Sequence, residues 1–373
     1  MLNRMRRREF LTDAGRTALS FCLLPLAARV KENQAYSEPK DGVAWRDLIA
    51  DAENQLPKLM QEAVVPGLSI SVIKDAKLSW HRGFGVKDSK SRTPVDNDTM
   101  FEAASMSKPV FAYAVMKLCE KGVMSLDTPL TRYTSERLLE GDPRLDLITA
   151  RHVLCHTSGL QNWRSEKEPL KIHFTPGEKF LYSGEGYSYL QSVVTHLTGQ
   201  PIEAYMKANL FGPFGMDSSG YVWNSAFAAR MARPHDPKGV AVDNKKSTPA
   251  DVARYGSSGA LLTTPTDYTK FIIEVIDPKP ADVFRLSKAS LDEMIRPQVK
   301  IADQYSTSWA LGWEIQHTEK GDVITHGGDN TGFHCRCVAS VPRKSGFIIM
   351  TNGENGGRLV KTLLLGDLMN RFL

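Results

Sequence analysis

The chain has 373 residues, of which 42% are hydrophobic and 24% charged, with 28 Gly and 20 Pro. This globular composition excludes collagen-like and low-complexity chains, and 9% aromatic residues with a net charge of +5 exclude wholesale disorder. The length suits two domains or one large interleaved one, and the excess of 47 Lys+Arg over 42 Asp+Glu raises the question of an acidic partner such as nucleic acid.

The position of the charges answers it. Residues 1–31 hold seven basic and two acidic side chains, so the whole +5 lies there and the rest sums to zero. No nucleic-acid partner is therefore expected. This first segment reads as an export signal: a basic start, then the apolar run from Ala18 to Ala28, too short to span a bilayer as a helix. Arg7-Arg8-Glu9-Phe10-Leu11 resembles the twin-arginine signal, which passes folded proteins across the bacterial inner membrane. Cleavage near Ala27 or Ala28 would leave a periplasmic or secreted protein. Lipid anchoring through Cys22 is disfavoured by the bulky Phe21 before it. No later stretch is apolar enough for stable membrane insertion.

Residues 32–44 read as a linker, and 45–373 as a single catalytic domain. Within it, Leu48, Ile49, Ala52, Leu56, Leu59 and Met60 predict a helix over 45–63, stopped by Pro66-Gly67. Leu68 to Ile73 alternates as a strand, with Lys77 to Gly85 as its hairpin partner across Asp75-Ala76. A mainly helical lobe covers about 110–295. Strand patterns return at Trp309–Gln316, Asp322–Thr325, Phe333–Val341 and Gly346–Thr351, and a last helix carries Leu359, Leu363, Leu364 and Leu368. Strands at both ends around a helical middle predict an α/β (α+β) fold in which an antiparallel sheet is assembled from both chain ends, flanked by helices, with the lobe inserted. Cys119, Cys155, Cys335 and Cys337 read as buried free thiols. His334 beside the last two lacks the second ligand cluster that zinc spacing requires, so no metal is expected.

No Gly-x-Ser-x-Gly occurs, so a serine would need another activator. A lysine one helical turn away can serve: at i and i+3 the side chains are neighbours, and a desolvated amine can take the hydroxyl proton. Ser-x-x-Lys occurs three times. Ser37/Lys40 lies in the linker with a proline between, and Ser71/Lys74 lies on a strand where i and i+3 face opposite ways. Only Ser105/Lys108 opens a helix, with Pro109 in the first turn and a stop at Gly122. On this pattern alone Ser105 is equally well a helix cap or a nucleophile.

Two further segments bear on the choice: Phe174-Thr175-Pro176-Gly177-Glu178-Lys179-Phe180-Leu181-Tyr182-Ser183-Gly184 places a tyrosine in a turn before a helix, and His326-Gly327-Gly328 sits at a strand edge. With Ser105/Lys108 they resemble, in order and spacing, the three signatures of the serine β-lactamase and penicillin-binding-protein superfamily, closest to the class C β-lactamase and esterase-like branch. Ile148 to Leu160 and Gly259 to Asp267 are similar to two more segments of that family. The resemblance implies a serine hydrolase with Ser105 as nucleophile and Lys108 and Tyr182 sharing the proton transfers, the ammonium lowering the tyrosine pKa. It also implies an oxyanion hole from the backbone N–H groups of Ser105 and Asp329, substrate contacts at Gly184, His326, Gly327 and Gly328, and no cofactor. His152 and His156 read as stabilising the fold.

Two departures bear on substrate. The family's Tyr-x-Asn is Tyr182-Ser183-Gly184 here, and His326 stands where many members have lysine. Loss of an amide and of a fixed cation favours a carboxylic ester or short amide substrate over a D-amino-acid peptide or a β-lactam, and Gly184→Asn is expected to raise lactam turnover. An alternative of another class is a non-turnover cell-wall-peptide binding protein, which would have no need of Ser105, Lys108 and Tyr182 together. His326 would be a structural edge residue, a hydrogen-bonding group or a pH-dependent charge.

Overall fold

A computed structural model describes residues 45–243, 246–302, 307–319 and 321–373; the expected export signal and linker lie outside them. The chain begins with helix α1 (Trp45–Ala63), whose buried Leu48, Ala52, Leu56 and Met60 recur at helical spacing. Strand β1 (Gly67–Lys74) turns at Asp75 and Ala76, both with positive φ, into β2 (Lys77–Asp88), three residues longer than the alternation suggested, followed by the short β3 (Thr93–Pro94).

The expectation of a sheet built from both chain ends is met. Strands β6 (Val299–Ala302), β7 (Thr307–Trp309), β8 (Glu314–Gln316), β9 (Val323–Asn330), β10 (Phe333–Ser340) and β11 (Ser345–Thr351) come from the C-terminal part. The sheet order is β3-β2-β1-β11-β10-β9-β8-β7-β6, every neighbour antiparallel, and Ser69 stands opposite Met350 where the chain ends meet. A separate two-stranded ribbon pairs β4 (Phe101–Ala104) with β5 (Leu261–Thr263).

Three further boundaries differ from expectation. Trp309–Gln316 is two strands, not one, because Gly312 at φ +88 reverses the chain where a side chain would run into Ala112. Strand β9 continues from Thr325 to Asn330, and the last helix ends at Leu365, with Gly366 separating it from a short turn at Asp367–Asn370.

One face of the sheet packs Leu68, Ile70, Val72, Val338, Phe347 and Ile349 against α1 and the C-terminal helix (Gly356–Leu365). The other face carries Ile324, Cys335, Cys337, Ile348 and Met350 into the larger core of the helical middle. At its centre is α2 (Ser107–Glu120), buried at every position from Ser107 to Leu118. Around it lie α3 (Ala150–Leu154), α4 (Gly184–Thr198), α5 (Pro249–Gly259) and α6 (Pro265–Ile276). Helix α4 ends at Gly199 in the left-handed conformation, an ordinary glycine stop. Cys155, Cys335 and Cys337 are buried free thiols as expected, and Cys119 is free but only half-buried.

Candidate active site

Ser105 lies between β4 and α2. The residue before it, Ala104, has φ +46, a region that costs a non-glycine residue about 1–2 kcal/mol. The local bonds that impose it are clear. Ser107 Oγ donates to the Ala104 carbonyl at 2.6 Å and accepts from the Leu261 N–H at 3.0 Å, while the Met106 N–H donates to the Ala103 carbonyl. Helix α2 starts with Met106 as its cap residue and no side-chain cap, so Ser105 does not have the capping role its sequence equally allowed. Its hydroxyl remains available to Lys108.

Lys108 is fully buried. Its backbone N–H donates to the Ser105 carbonyl at 3.0 Å, which closes one turn and sets the two side chains side by side: Nζ lies 3.1 Å from Ser105 Oγ. Nζ also donates to the Ser258 carbonyl at 2.7 Å and sits 4.8 Å from the centre of the Tyr182 ring. Ser258 is held in turn: Gln191 on α4 binds the α5 carbonyls of Val252 and Ala253 and accepts from the Ser257 N–H.

Tyr182 immediately precedes Ser183, the cap of α4, which accepts from the Gly186 N–H. The tyrosine is wedged among rings. His156 lies 4.1 Å away with its plane tilted by 32°, and Trp309 of β7 lies 5.8 Å away edge-on. His156 Nδ1 accepts from the Ser183 N–H, so the neutral ring carries its proton on Nε2. Burial, with the Lys108 amine second, holds the His156 pKa well below the ordinary histidine value. His152 completes the capping box of α3 with Thr149. The expected fold-stabilising role fits both contacts.

His326 projects from β9 toward the same cluster, 5.5 Å from Trp309 and 6.5 Å from Tyr182, with Nδ1 2.6 Å from the Gly327 carbonyl oxygen. Burial first, then Lys108, lowers its pKa to about 3. The lowered pKa argues against a pH-dependent charge at this position: the imidazole is neutral throughout the physiological range, and Nε2 is buried with no hydrogen-bond partner among the described residues. Of β9, strand β8 pairs with Val323–Thr325 alone, so the stretch from His326 to Asn330 has no strand partner on that side among the described residues. Gly328 abuts β4 so closely that a methyl there would run into the Ala103 carbonyl. Asn330 Nδ2 bridges to Glu102 Oε2 at 2.7 Å. This open edge thus lies against the strand that delivers Ser105. The Asp329 side chain is engaged with His334 at 2.6 Å, leaving its backbone as the group it can offer. No cluster of three or more His, Cys, Asp or Glu is placed to hold a metal among the described residues.

The beta-lactamase family model matches residues 52–366. The chain belongs to the beta-lactamase family. It is 24% identical to a penicillin-binding protein of Bacillus subtilis strain 168, over 76% of this chain and 68% of the relative. It is 28% identical to esterase EstB of Burkholderia gladioli, over 71% of this chain and 79% of the relative. The D-alanine carboxypeptidase AmpC structure from Burkholderia cenocepacia superposes with a TM-score of 0.72 at 20% identity, covering 86% of this chain and 99% of that one, a likeness of fold. This beta-lactamase-family chain is a serine hydrolase, and none of its described helices is long and apolar enough to cross a membrane.

Gly184 corrects an expectation. An asparagine cannot be placed there as the protein stands, because the edge of the Trp163 indole occupies the space its side chain would need. The expected gain in lactam turnover from Gly184→Asn loses its steric basis. Trp163, Ser258, Trp309 and Tyr255 all escaped the sequence reading. Trp163 and Tyr255 lie in segments without a family-like motif, Trp309 read only as a strand residue, and the Gly259–Asp267 segment pointed one residue beyond Ser258.

Proposed function

We propose that the chain is an exported serine hydrolase that forms an acyl-enzyme on Ser105 and cleaves small carboxylic esters, with short amides as slower substrates. The observation that carries this reading is the 3.1 Å separation of Ser105 Oγ and Lys108 Nζ beside Tyr182. With the amine neutral, Ser105 Oγ attacks the ester carbonyl carbon as its proton passes to Lys108, with Tyr182 in reach of the same proton path. The backbone N–H groups of Ser105 and Asp329 receive the developing oxyanion. The alcohol leaves with a proton returned from this pair. Water then adds to the acyl carbon, the acid departs, and the Ser105 hydroxyl is restored.

Two features favour esters over lactams and peptides. His326 is uncharged at neutral pH, so it offers no cation to a substrate carboxylate. The Gly184 position presents an indole edge and no amide. A peptide would need the amide contact to align its backbone, and an ester needs only the nucleophile and the oxyanion donors. Export rests on the basic leader 1–31 and its Arg7-Arg8 pair; cell fractionation of wild type and Arg7→Lys/Arg8→Lys tests it.

Hydrolysis of p-nitrophenyl acetate, with nitrocefin and a D-Ala-D-Ala peptide in parallel, tests the activity. Ester turnover that falls at least about 10³-fold in Ser105→Ala supports the reading. An unchanged rate in that variant contradicts it, and turnover of the lactam or peptide alone replaces the ester as substrate.

A further inference from the structure

Trp163 is held in place by bonds on both sides. Before it, Asn162 Oδ1 accepts from the Gly184 N–H at 2.9 Å, and the Asn162 carbonyl accepts from the Glu185 N–H at 2.9 Å. After it, the Arg164 N–H donates to Glu185 Oε1 at 3.0 Å, and Arg164 Nη2 donates to Glu185 Oε2 at 2.6 Å. Glu185 is buried, and Arg254 of α5 adds a second cation 3.9 Å from it. The loop on both sides of Trp163 is thereby tied to the first turn of α4. The indole lies edge-on to Tyr255, with centroids 5.4 Å apart and planes at 80°.

The two rings stand, on different elements, beside the segments that carry Tyr182 and the Ser258 carbonyl. Trp163 covers Gly184, two residues after Tyr182, and Tyr255 is three residues before Ser258, whose carbonyl holds Lys108. Both are half-buried, so each keeps a surface toward solvent. A half-exposed aromatic pair, clamped by buried charge and hydrogen bonds, favours contact with a flat apolar group and offers no amide acceptor or donor.

We infer that Trp163, backed by Tyr255, is the specificity-determining wall of the acyl pocket, matched to esters whose acyl part ends in an aromatic or comparable apolar group. This rests on the reading of Ser105 as nucleophile. The wall touches the acyl group and not the reacting atoms, so its effect falls on the ratio between substrates and on KM.

The test compares p-nitrophenyl phenylacetate with p-nitrophenyl acetate in the full chain and in Trp163→Ala, Trp163→Leu and Trp163→Phe. The parent should prefer the phenylacetyl ester in kcat/KM. Trp163→Ala should reduce that preference about tenfold, mainly through KM, while acetate hydrolysis stays within about threefold of the parent. Trp163→Leu, which keeps the loop filled, should reduce it several-fold, and Trp163→Phe should retain most of it. An unchanged preference in both Ala and Leu variants, or equal losses on both esters in the Leu variant, overturns the assignment. A parent inactive on both esters overturns the hydrolase reading itself, and is seen before any Trp163 variant is made.

Discussion

The buried Nζ of Lys108 donates a 2.7 Å hydrogen bond to the carbonyl oxygen of Ser258, which pins the amine at the end of α5 and turns it toward Ser105 Oγ. The amine position is thus set from outside its own helix. Replacing Lys108 by Arg should abolish ester hydrolysis by at least about 10³-fold, because a guanidinium stays charged and cannot take a proton. Lys108→Ala should lose activity equally and also lower stability by about 1–3 kcal/mol, since the Ser258 carbonyl is left buried without its donor. Steady-state kinetics with urea unfolding separates the two effects; an active Lys108→Arg enzyme contradicts the assignment of Lys108 as base.

The adjacent glycines of β9 should respond differently. A methyl on Gly328 meets the fixed Ala103 carbonyl, and a methyl on Gly327 lies 3.1 Å from Arg336 Nη1, the movable end of a long side chain. Gly328→Ala should therefore cost about 1–3 kcal/mol of stability and most of the activity, with Gly327→Ala well below that. Thermal melting of the two variants decides; equal losses would show that β9 is not pressed against β4 as described.

His326 and His156 set a pH dependence of stability. Both have folded pKa values below the ordinary 6.5, His326 at about 3, so the unfolded chain binds protons that the folded one refuses. Stability should be steady above pH 6.5 and fall as the pH drops from there toward 3. His81, His152 and His235 are also lowered by burial and add to the same slope. His326→Gln should flatten the loss between pH 6 and 4, read from urea unfolding at each pH. An unchanged slope would mean that His326 is not buried neutral.

Arg336 and Glu314 form a buried pair at 3.0 Å on the sheet face away from Ser105. Burial raises the Glu314 pKa, against the pull of Arg336. Arg336→Met should cost about 3–5 kcal/mol because it strands the carboxylate, and Arg336→Met/Glu314→Met should recover most of that. Unfolding of the single and double variants checks it, and additive losses would exclude a coupled pair.

Much of this architecture is written locally and is legible in the sequence. The i, i+3 spacing of Ser105 and Lys108 needs only one turn of backbone, and the short apolar-rich runs of β1 and β11 mark strands buried on both faces. What escaped depends on distant segments meeting. The loop holding Trp163 and the start of α4 at Gly184 are 21 residues apart, joined through the Asn162 and Glu185 bonds that no periodicity reveals. The charge state of His326 is likewise a product of burial among Trp309, Tyr182 and Lys108, and its residue type leaves it open. The sequence pattern ends β9 too early because glycines lower strand propensity, and here the close approach of β4 requires the one at Gly328.

The most direct test of the account is to mix the protein with p-nitrophenyl acetate, quench in acid within the first turnovers, and locate any added mass by peptide mass spectrometry. One acetyl group on the peptide containing Ser105, absent from Ser105→Ala, is the predicted result. Ester turnover with no acyl group on Ser105, or with the acetyl on another residue at the same rate in Ser105→Ala, would contradict it.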